Sequence, residues 1–430
     1  MPFIYRLLVA VMLFTIAVQP LHAQKTPDHT LKGVIYSTID SLPIPYAYIG
    51  IPQLGIGTST NINGQFELHY DSPIQDTLSI THLSYEKKKL ILPATPANDT
   101  ILFLTPIAFE LPDITVLSDD SIAKIAQKIK RNFRKNYPTS LHYSSLFYRE
   151  IIYDAESNTA SRLIESTVGI EDKGYGTPND NIKAEIIAIR KSDDIDKDNT
   201  SVWVSILQKA FPETQNDFFK LLNSNPLRRY RFSDKRKGTN NANDFWGKNL
   251  IDMALNRGDL KITGSHHTDS DTFIHLTFEQ PGIFTHKGTF TVNTTDFAIV
   301  DWTHQVILKN GKVLRDFTYK YYKNNKKYYP YFYRGLTAEY NDDLVTFNHV
   351  QTLVFTEHFE KRRNIERIKR STMISNKGDF YKNTSEYDAS YWANQNILLQ
   401  EPLGEEDIES LSKVTQIETQ FKRNGNEPRN

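Results

Sequence analysis

The chain of 430 residues carries 51 basic and 51 acidic side chains, 39% hydrophobic and 12% aromatic residues, and no cysteine. The even charge argues against phosphate-driven nucleic-acid binding, which needs a basic surface. The missing thiols exclude disulfides, thiol catalysis, cysteine metal sites and lipid attachment through an N-terminal cysteine.

Arg6, the apolar run Leu7–Val18 and the segment Leu21-His22-Ala23 predict a secretory signal over residues 1–23. The run is too short for a membrane span, which takes about 20 residues. Cleavage after Ala23 leaves 50 basic and 51 acidic residues, a net charge of −1, and no later apolar stretch of spanning length. The mature protein is therefore expected in the periplasm or associated with the outer membrane, with no transmembrane segment.

Residues 24–30 read as a flexible leader. From Leu31 to about Thr105, short alternating apolar runs broken by Pro, Gly and Asn predict a β-sandwich of about seven strands, filling a first domain over 24–117. In Gln65–Tyr70, the side chains of Phe66, Leu68 and Tyr70 share a face, and Asn63-Gly64 before it suits a type I′ turn, with φ > 0 at both positions. Asp76–Ile80 and Thr100–Leu104 are further strands, and Leu111–Val116 reads as an exit strand or a linker. Asp119-Asp120-Ser121 caps a helix to about Lys135, in which Ile122, Ile125, Ile129 and Phe133 form one apolar stripe. That helix opens a second domain over 118–400, a larger antiparallel sheet with a few helices. Within it, 140–172 and 259–375 read as strands, 201–223 and 246–256 as helices, and 173–200 and 233–244 as loops. Residues 401–430 read as a polar, flexible tail with a short helix at Glu405–Val414. The fold class is mainly β, of the α+β type.

The segments Gly33-Val34-Ile35, Pro45-x-Ala47-x-Ile49 and Thr58-x-Thr60-Asn61-x-x-Gly64-x-Phe66-x-Leu68 resemble the carboxypeptidase-D regulatory-like domain. The resemblance implies an accessory β-sandwich that does no chemistry. Phe147-Tyr148-Arg149-Glu150, Gly288–Asn293 with Asp296–Ile299 and, more loosely, Tyr391–Asn396 resemble the C-terminal portions of Bacteroidetes envelope proteins that carry the same module. The middle of the chain is also similar, in architecture alone, to the curved antiparallel sheet of lipoprotein carriers.

No His-x-x-Glu and no His-Glu-x-x-His occurs, so the zinc site of a metallocarboxypeptidase is absent from the sequence. His266-His267 with His275 would hold a metal if a hairpin turned two of them to one face; a solvent-facing strand edge is the plainer reading. Asp194, Asp196 and Asp198 imitate a calcium loop, but Asn199 replaces the needed Gly and Ser205 the bidentate Glu, which leaves an exposed acidic loop. Ser121-x-x-Lys124 lacks the companion Lys-Thr-Gly and reads as a helix cap. No metal and no cofactor is expected.

The densest chemical feature is aromatic. Phe317, Tyr319 and Tyr321 alternate onto one strand face, Lys323–Lys327 forms a turn, and Tyr329 and Tyr331 lie on the returning strand, with Lys320 and Arg334 at the rim. The set reads as a ligand platform for sugars, peptides or an apolar molecule, or as cross-strand tyrosine packing. The expected protein is an exported, non-catalytic envelope protein. Its sandwich would act as an interaction module, and its larger domain would bind a protein, a glycan or a lipid. The alternatives are a glycosidase-like hydrolase using Glu150, Glu165 and Asp301, whose carboxyls would need to stand about 5–9 Å apart, and a periplasmic lipid or lipoprotein carrier.

Overall fold

The computed structural model describes residues 29–52, 54, 56–61, 63–70, 77–82, 84–92, 100–107, 119–175, 182–194, 217–229, 260–268, 271–324, 326–341, 344–359, 367–393, 395 and 405–425. The expected features at 1–23, 111–116, 201–216, 233–244 and 246–256, and those at Asp196 and Asp198, lie outside the described residues.

Seven strands build the N-terminal module: β1 (His29–Ser37), β2 (Tyr48–Ile51), β3 (Ile56–Ser59), β4 (Gln65–Tyr70), β5 (Thr77–His82), β6 (Tyr85–Ile91) and β7 (Thr100–Leu104). They form two layers, ordered β4-β1-β7 and β3-β2-β5-β6. Side chains alternate between the faces of a strand, so Leu31 and Ile35 of β1 and Phe66, Leu68 and Tyr70 of β4 meet Ile49, Ile51, Leu78 and Ile80 across one apolar core. The Thr-Asn motif ties the connection between the layers. The Thr60 hydroxyl donates to the Ile44 carbonyl at 2.6 Å and accepts from the Ala47 amide at 2.8 Å. The Asn61 carboxamide oxygen accepts from the amides of Asn63 and Gln65, both at 2.8 Å.

The turn before β4 differs from the type I′ expectation. Of the pair Asn63-Gly64 only Gly64 has positive φ, at 70°. The Asn61 side chain closes the turn instead, as Asn side chains do when they bond backbone amides a few residues on. Glycine is needed for a second reason, since a Cβ at position 64 would stand 2.6 Å from the Ile35 carbonyl oxygen.

Helix α1 (Asp119–Asn136) leads into the large domain, whose strands are β8 (His142–Asp154), β9 (Ala160–Asp172), β10 (Ile182–Lys191), β11 (Lys261–His267), β12 (Thr272–Gln280), β13 (Thr285–Asn293), β14 (Ala298–Ile307), β15 (Val313–Asn324), β16 (Lys327–Asn341) and β17 (Leu344–Phe359). They run as one curled antiparallel sheet, β11-β12-β13-β14-β15-β16-β17-β8-β9-β10. Strand β10 falls where a loop was expected over 173–200. Its alternation of apolar residues with Lys183, Glu185 and Arg190, paired along β9, is a strand pattern overshadowed by the polar residues around it.

The inner face of the sheet wraps α1, α2 (Asp217–Ser224) and the single turn α3 (Pro226–Arg229). Ile129 and Phe133 of α1 bury their stripe there, beside Trp302, Phe290 and Val300. The Tyr137 hydroxyl pins the end of the helix: it donates to the Ile299 carbonyl at 2.6 Å and accepts from the Ile299 amide at 2.7 Å. On the outer face, α4 (Ala389–Ala393), α5 (Glu405–Leu411) and α6 (Ile417–Gly425) cover β8 to β10. Leu411 and Phe421 pack on Ile151 and Leu163, so the stretch 405–425 is docked rather than a loose tail. Strand β17 also reaches the module, pairing Glu357 with Ile56 of β3.

Candidate functional site

The β15–β16 hairpin sorts the six residues of the expected aromatic platform onto different surfaces. Strand alternation sends Phe317, Tyr319 and Tyr321 to the inner face, where all three are buried. There the hydroxyls hold α2 and α3 in place. Tyr321 donates to the Asn225 carboxamide oxygen at 2.7 Å, the Asn225 amide nitrogen donates to the Tyr333 hydroxyl, and Ser224 and Tyr319 share a hydrogen bond of 2.8 Å. Arg228 completes the anchor with two bonds to Asp172, at 2.8 and 3.1 Å. Burial alone would raise the Asp172 pKa; the Arg228 guanidinium brings it below the ordinary value.

Alternation sends Tyr322 and Phe332 outward, and the register shift that skips Tyr331 on β16, between the pairs Lys320–Phe332 and Tyr321–Pro330, puts Tyr331 and Tyr329 on the same side. Tyr322, Tyr331 and Phe332 meet the module. Tyr48 stacks on Tyr322 with ring centroids 4.2 Å apart and lies 5.3 Å from Tyr331, while Tyr46 packs on Phe332 at 4.9 Å. Gly50 and Gly57 make the trough for the Tyr48 ring, since a Cβ at either would fall 2.6 or 2.2 Å from its hydroxyl oxygen. Lys320 stands 5.2 Å over the Tyr46 ring and opposite Asp301 in register. Burial lowers the Lys320 pKa and raises that of Asp301. Tyr331 is therefore part of an interdomain seam, Tyr329 packs beside it on His142 and His358, and Arg334 alone of the six is solvent-exposed.

The three carboxylates of the hydrolase alternative do not converge. Glu150 sits on the inner face, accepting from Tyr148 and from Arg162, both at 2.6 Å. Glu165 lies on the outer face and is 0% exposed, clamped by Arg149 at 2.7 Å and Arg190 at 2.6 Å. Those two guanidiniums overcome desolvation and hold Glu165 below the ordinary carboxylate range. Asp301 is in the seam. His266 and His275 do meet, at 2.8 Å, with His275 also bonded to Thr291, but His267 turns away to Thr272. Among the described residues no group of three or more His, Cys, Asp or Glu could hold a metal ion.

What the sequence did not reveal is a polar belt across the outer face. Lys261, Thr277, Thr289, Thr303, Thr318, Arg334, Thr352, Arg149, Glu165 and Arg190 are direct neighbours in register, one per strand from β11 to β10. One end is sealed: Arg190 lies 4.7 Å from the Trp392 ring and 4.8 Å from the Phe421 ring. The other end opens into a groove of about 510 Å³ over β11 to β15. Its walls carry Thr277, Thr289, Thr303 and Thr318, with Lys261 and Lys287 balanced by Glu279 and Asp316. Thr289 and Thr303 are bonded to each other at 2.8 Å, and Gln305 donates to Asp316 at 2.8 Å. The signal in the sequence was threonine recurring in successive strands, and which of them line up is visible only once the register is known.

Fold and surfaces together define a two-part β protein, a small sandwich sealed by tyrosines onto a large curled sheet with a polar outer groove. Residues 31–116 match the CarboxypepD_reg-like domain family. No curated protein matches the chain. Among solved structures the chain is similar to a LolA superfamily protein from Nitrosomonas europaea, with 11% identity over 55% of this chain and 94% of that one and a TM-score of 0.22. It is similar to a DUF1329 family protein from Desulfovibrio piger, with 7% identity over 59% and 98% of the two chains and a TM-score of 0.24. The MucA/MucB complex structure from Pseudomonas aeruginosa also matches, with 7% identity over 55% and 93% and a TM-score of 0.18. At such TM-scores these likenesses decide neither ligand nor activity. No helix among the described residues is long and apolar enough to cross a membrane, which says nothing of crossing by strands.

Proposed function

We propose that this chain is an exported, non-catalytic binding protein of the cell envelope. Its regulatory-like sandwich is an interaction module fixed to the large sheet, and the sheet takes a ligand on its outer face. The observation that carries the reading is the open groove of about 510 Å³, built on a polar belt whose far end is sealed by the protein's own helices. The groove's convergent polar groups are of the kind that orient a ligand and give it specificity. The dispersal of Glu150, Glu165 and Asp301, the first two ion-paired with arginines, supports the non-catalytic part. A lipid or lipoprotein carrier is the second reading, favoured by the curl of the sheet around α1 and α2; it requires Phe218, Phe219, Leu221 and Leu222 to leave the inner face they now fill.

The test is capture from an envelope extract by the whole mature chain, residues 24–430, with proteins, glycans and lipids identified. A Thr303→Arg variant, which fills the groove, is run beside it. Saturable capture lost in the variant is expected. Capture that ignores the variant, or turnover of peptides or glycans by the purified chain, would sink the proposal, and captured lipid that ignores it would move the site to the inner face.

A further inference from the structure

The outer groove also says what kind of molecule fits it, and this step rests on the groove being the binding surface. Its floor is a ladder of hydroxyls. Thr277, Thr289, Thr303 and Thr318 are paired in register on four consecutive strands, so their side chains repeat at the strand spacing of about 4.8 Å across the sheet. The ladder is preorganised: the Thr303 hydroxyl accepts from the Thr289 amide at 3.0 Å while bonding the Thr289 hydroxyl. Beside it, the Gln305 carboxamide is held by Asp316 at 2.8 Å. Rotamers fixed in advance lose less entropy on binding.

Three classes of ligand are disfavoured by the same walls. Two lysines against two carboxylates leave no net charge to select an anion or a cation. Phe278 is the one apolar side chain in the lining and is 2% exposed, so the apolar surface comes in small pieces, as threonine methyls and lysine stems, and offers no continuous patch to an acyl chain or apolar peptide. A peptide strand that adds to a sheet bonds the free backbone of an edge, whereas the threonines of this groove stand on the face of β12 to β15, strands already paired on both sides. What remains is a chain that is uncharged, extended and covered in hydroxyls, able to donate to the threonines, Gln305 and the carboxylates and to accept from the threonines, Gln305 and the lysines. We propose that the groove binds a linear neutral glycan laid across β12 to β15, one hydroxyl-bearing unit to each threonine.

The test uses the whole mature chain on an array of neutral linear oligosaccharides of glucose, N-acetylglucosamine, mannose and galactose, with hits titrated calorimetrically. Two double variants remove hydroxyls while keeping side-chain shape: Thr289→Val with Thr303→Val, and Thr277→Val with Thr318→Val. The second pair guards against the first disturbing the fold, and the melting temperature is followed for both. At least one oligosaccharide should bind, at least about tenfold more weakly in each double variant, and with less than about a twofold change between 50 and 500 mM salt, as for an uncharged ligand. No binding to any neutral oligosaccharide, or binding indifferent to both variants, overturns the inference. If the array is blank while capture from the extract is still lost in Thr303→Arg, the glycan falls and the groove stands; if both fail, the binding-surface reading falls as well.

Discussion

The module and the large sheet are both built from antiparallel layers, yet their interiors are made of different material. Between the layers of the module lie Ile35, Ile49, Ile51, Ile80, Leu68 and Leu78, with Phe66 and Tyr70 as the aromatic members. The large sheet buries hydroxyls, ion pairs and histidines on both its faces: Tyr321 and Tyr333 on Asn225, Arg228 on Asp172, Glu165 between Arg149 and Arg190. Aliphatic burial is non-directional and tolerates small shifts. Buried polar networks stabilise only when every member is satisfied. The sandwich should therefore fail gradually and the sheet abruptly, when one partner is withdrawn.

Glu165→Ala is the sharpest way to break that contrast. The change strands two buried guanidiniums, and loss of one partner from a buried pair costs about 3–5 kcal/mol. We expect a loss near the upper end, read from urea unfolding. A loss below about 1 kcal/mol would show that Arg149 and Arg190 find other partners or water, and the abrupt character assigned to the sheet would go with it.

Tyr48→Ala tests whether the two interiors act as one. It empties the trough over Gly50 and Gly57 and removes the stack on Tyr322. Truncating a large buried aromatic costs about 3 kcal/mol or more, and the loss should fall on the seam. Heat unfolding followed by both near-UV and far-UV circular dichroism should split into two steps in the variant. A single unchanged transition would mean the module is coupled through the β3–β17 pairing instead.

Acid should separate the regions as well. Burial lowers the pKa of His304 and His358 to about 3 and of His266 to about 4, all in the large sheet, and of His82 to about 3 at the seam. A group kept neutral in the fold but protonated when unfolded, at about 6.5, contributes stability that is complete above that value and declines as pH falls toward the folded value. Each such histidine then costs up to about 1.4 kcal/mol per pH unit, or about 2 kcal/mol at pH 5. Unfolding midpoints should fall between pH 6.5 and 4.5, before the carboxylates Glu165 and Asp172 begin to protonate. His358→Gln should flatten the slope; a pH-independent midpoint across that window would contradict the buried neutral histidines.

The same contrast explains what was legible beforehand. Phe66, Leu68 and Tyr70, spaced two apart beside Thr60-Asn61 and Gly64, announce a strand, its buried face and the place of its turn, though not the type of turn, and the family match over 31–116 agrees. Helix α1 was equally plain from Ile122, Ile125, Ile129 and Phe133. The outer belt could not be read, because Thr277, Thr303 and Arg149 become neighbours only through pairings set by long-range register. The aromatic hairpin was legible, but not the parting of its two strands: Phe317, Tyr319 and Tyr321 stay inside by alternation, while a bulge at Tyr331 turns Tyr331 and Tyr329 outward.

The smallest effect concerns the hydroxyls themselves. If the inner tyrosines were cross-strand packing alone, removing an oxygen would cost nothing. Tyr321→Phe instead takes one bond from Asn225, whose carboxamide oxygen also accepts from the Leu227 amide at 3.0 Å, so the loss should be about 1 kcal/mol, the net value of one hydrogen bond. Tyr333→Phe removes the acceptor of the Asn225 amide nitrogen and a partner of the Tyr175 hydroxyl, two bonds rather than one, which should cost about twice as much. Hydrogen exchange at Phe219, Leu222 and Leu227 should rise in both variants if these bonds hold α2 and α3 against the sheet. Unchanged exchange would assign the anchoring to Arg228 and Asp172, and the tyrosines would return to the role of ring packing.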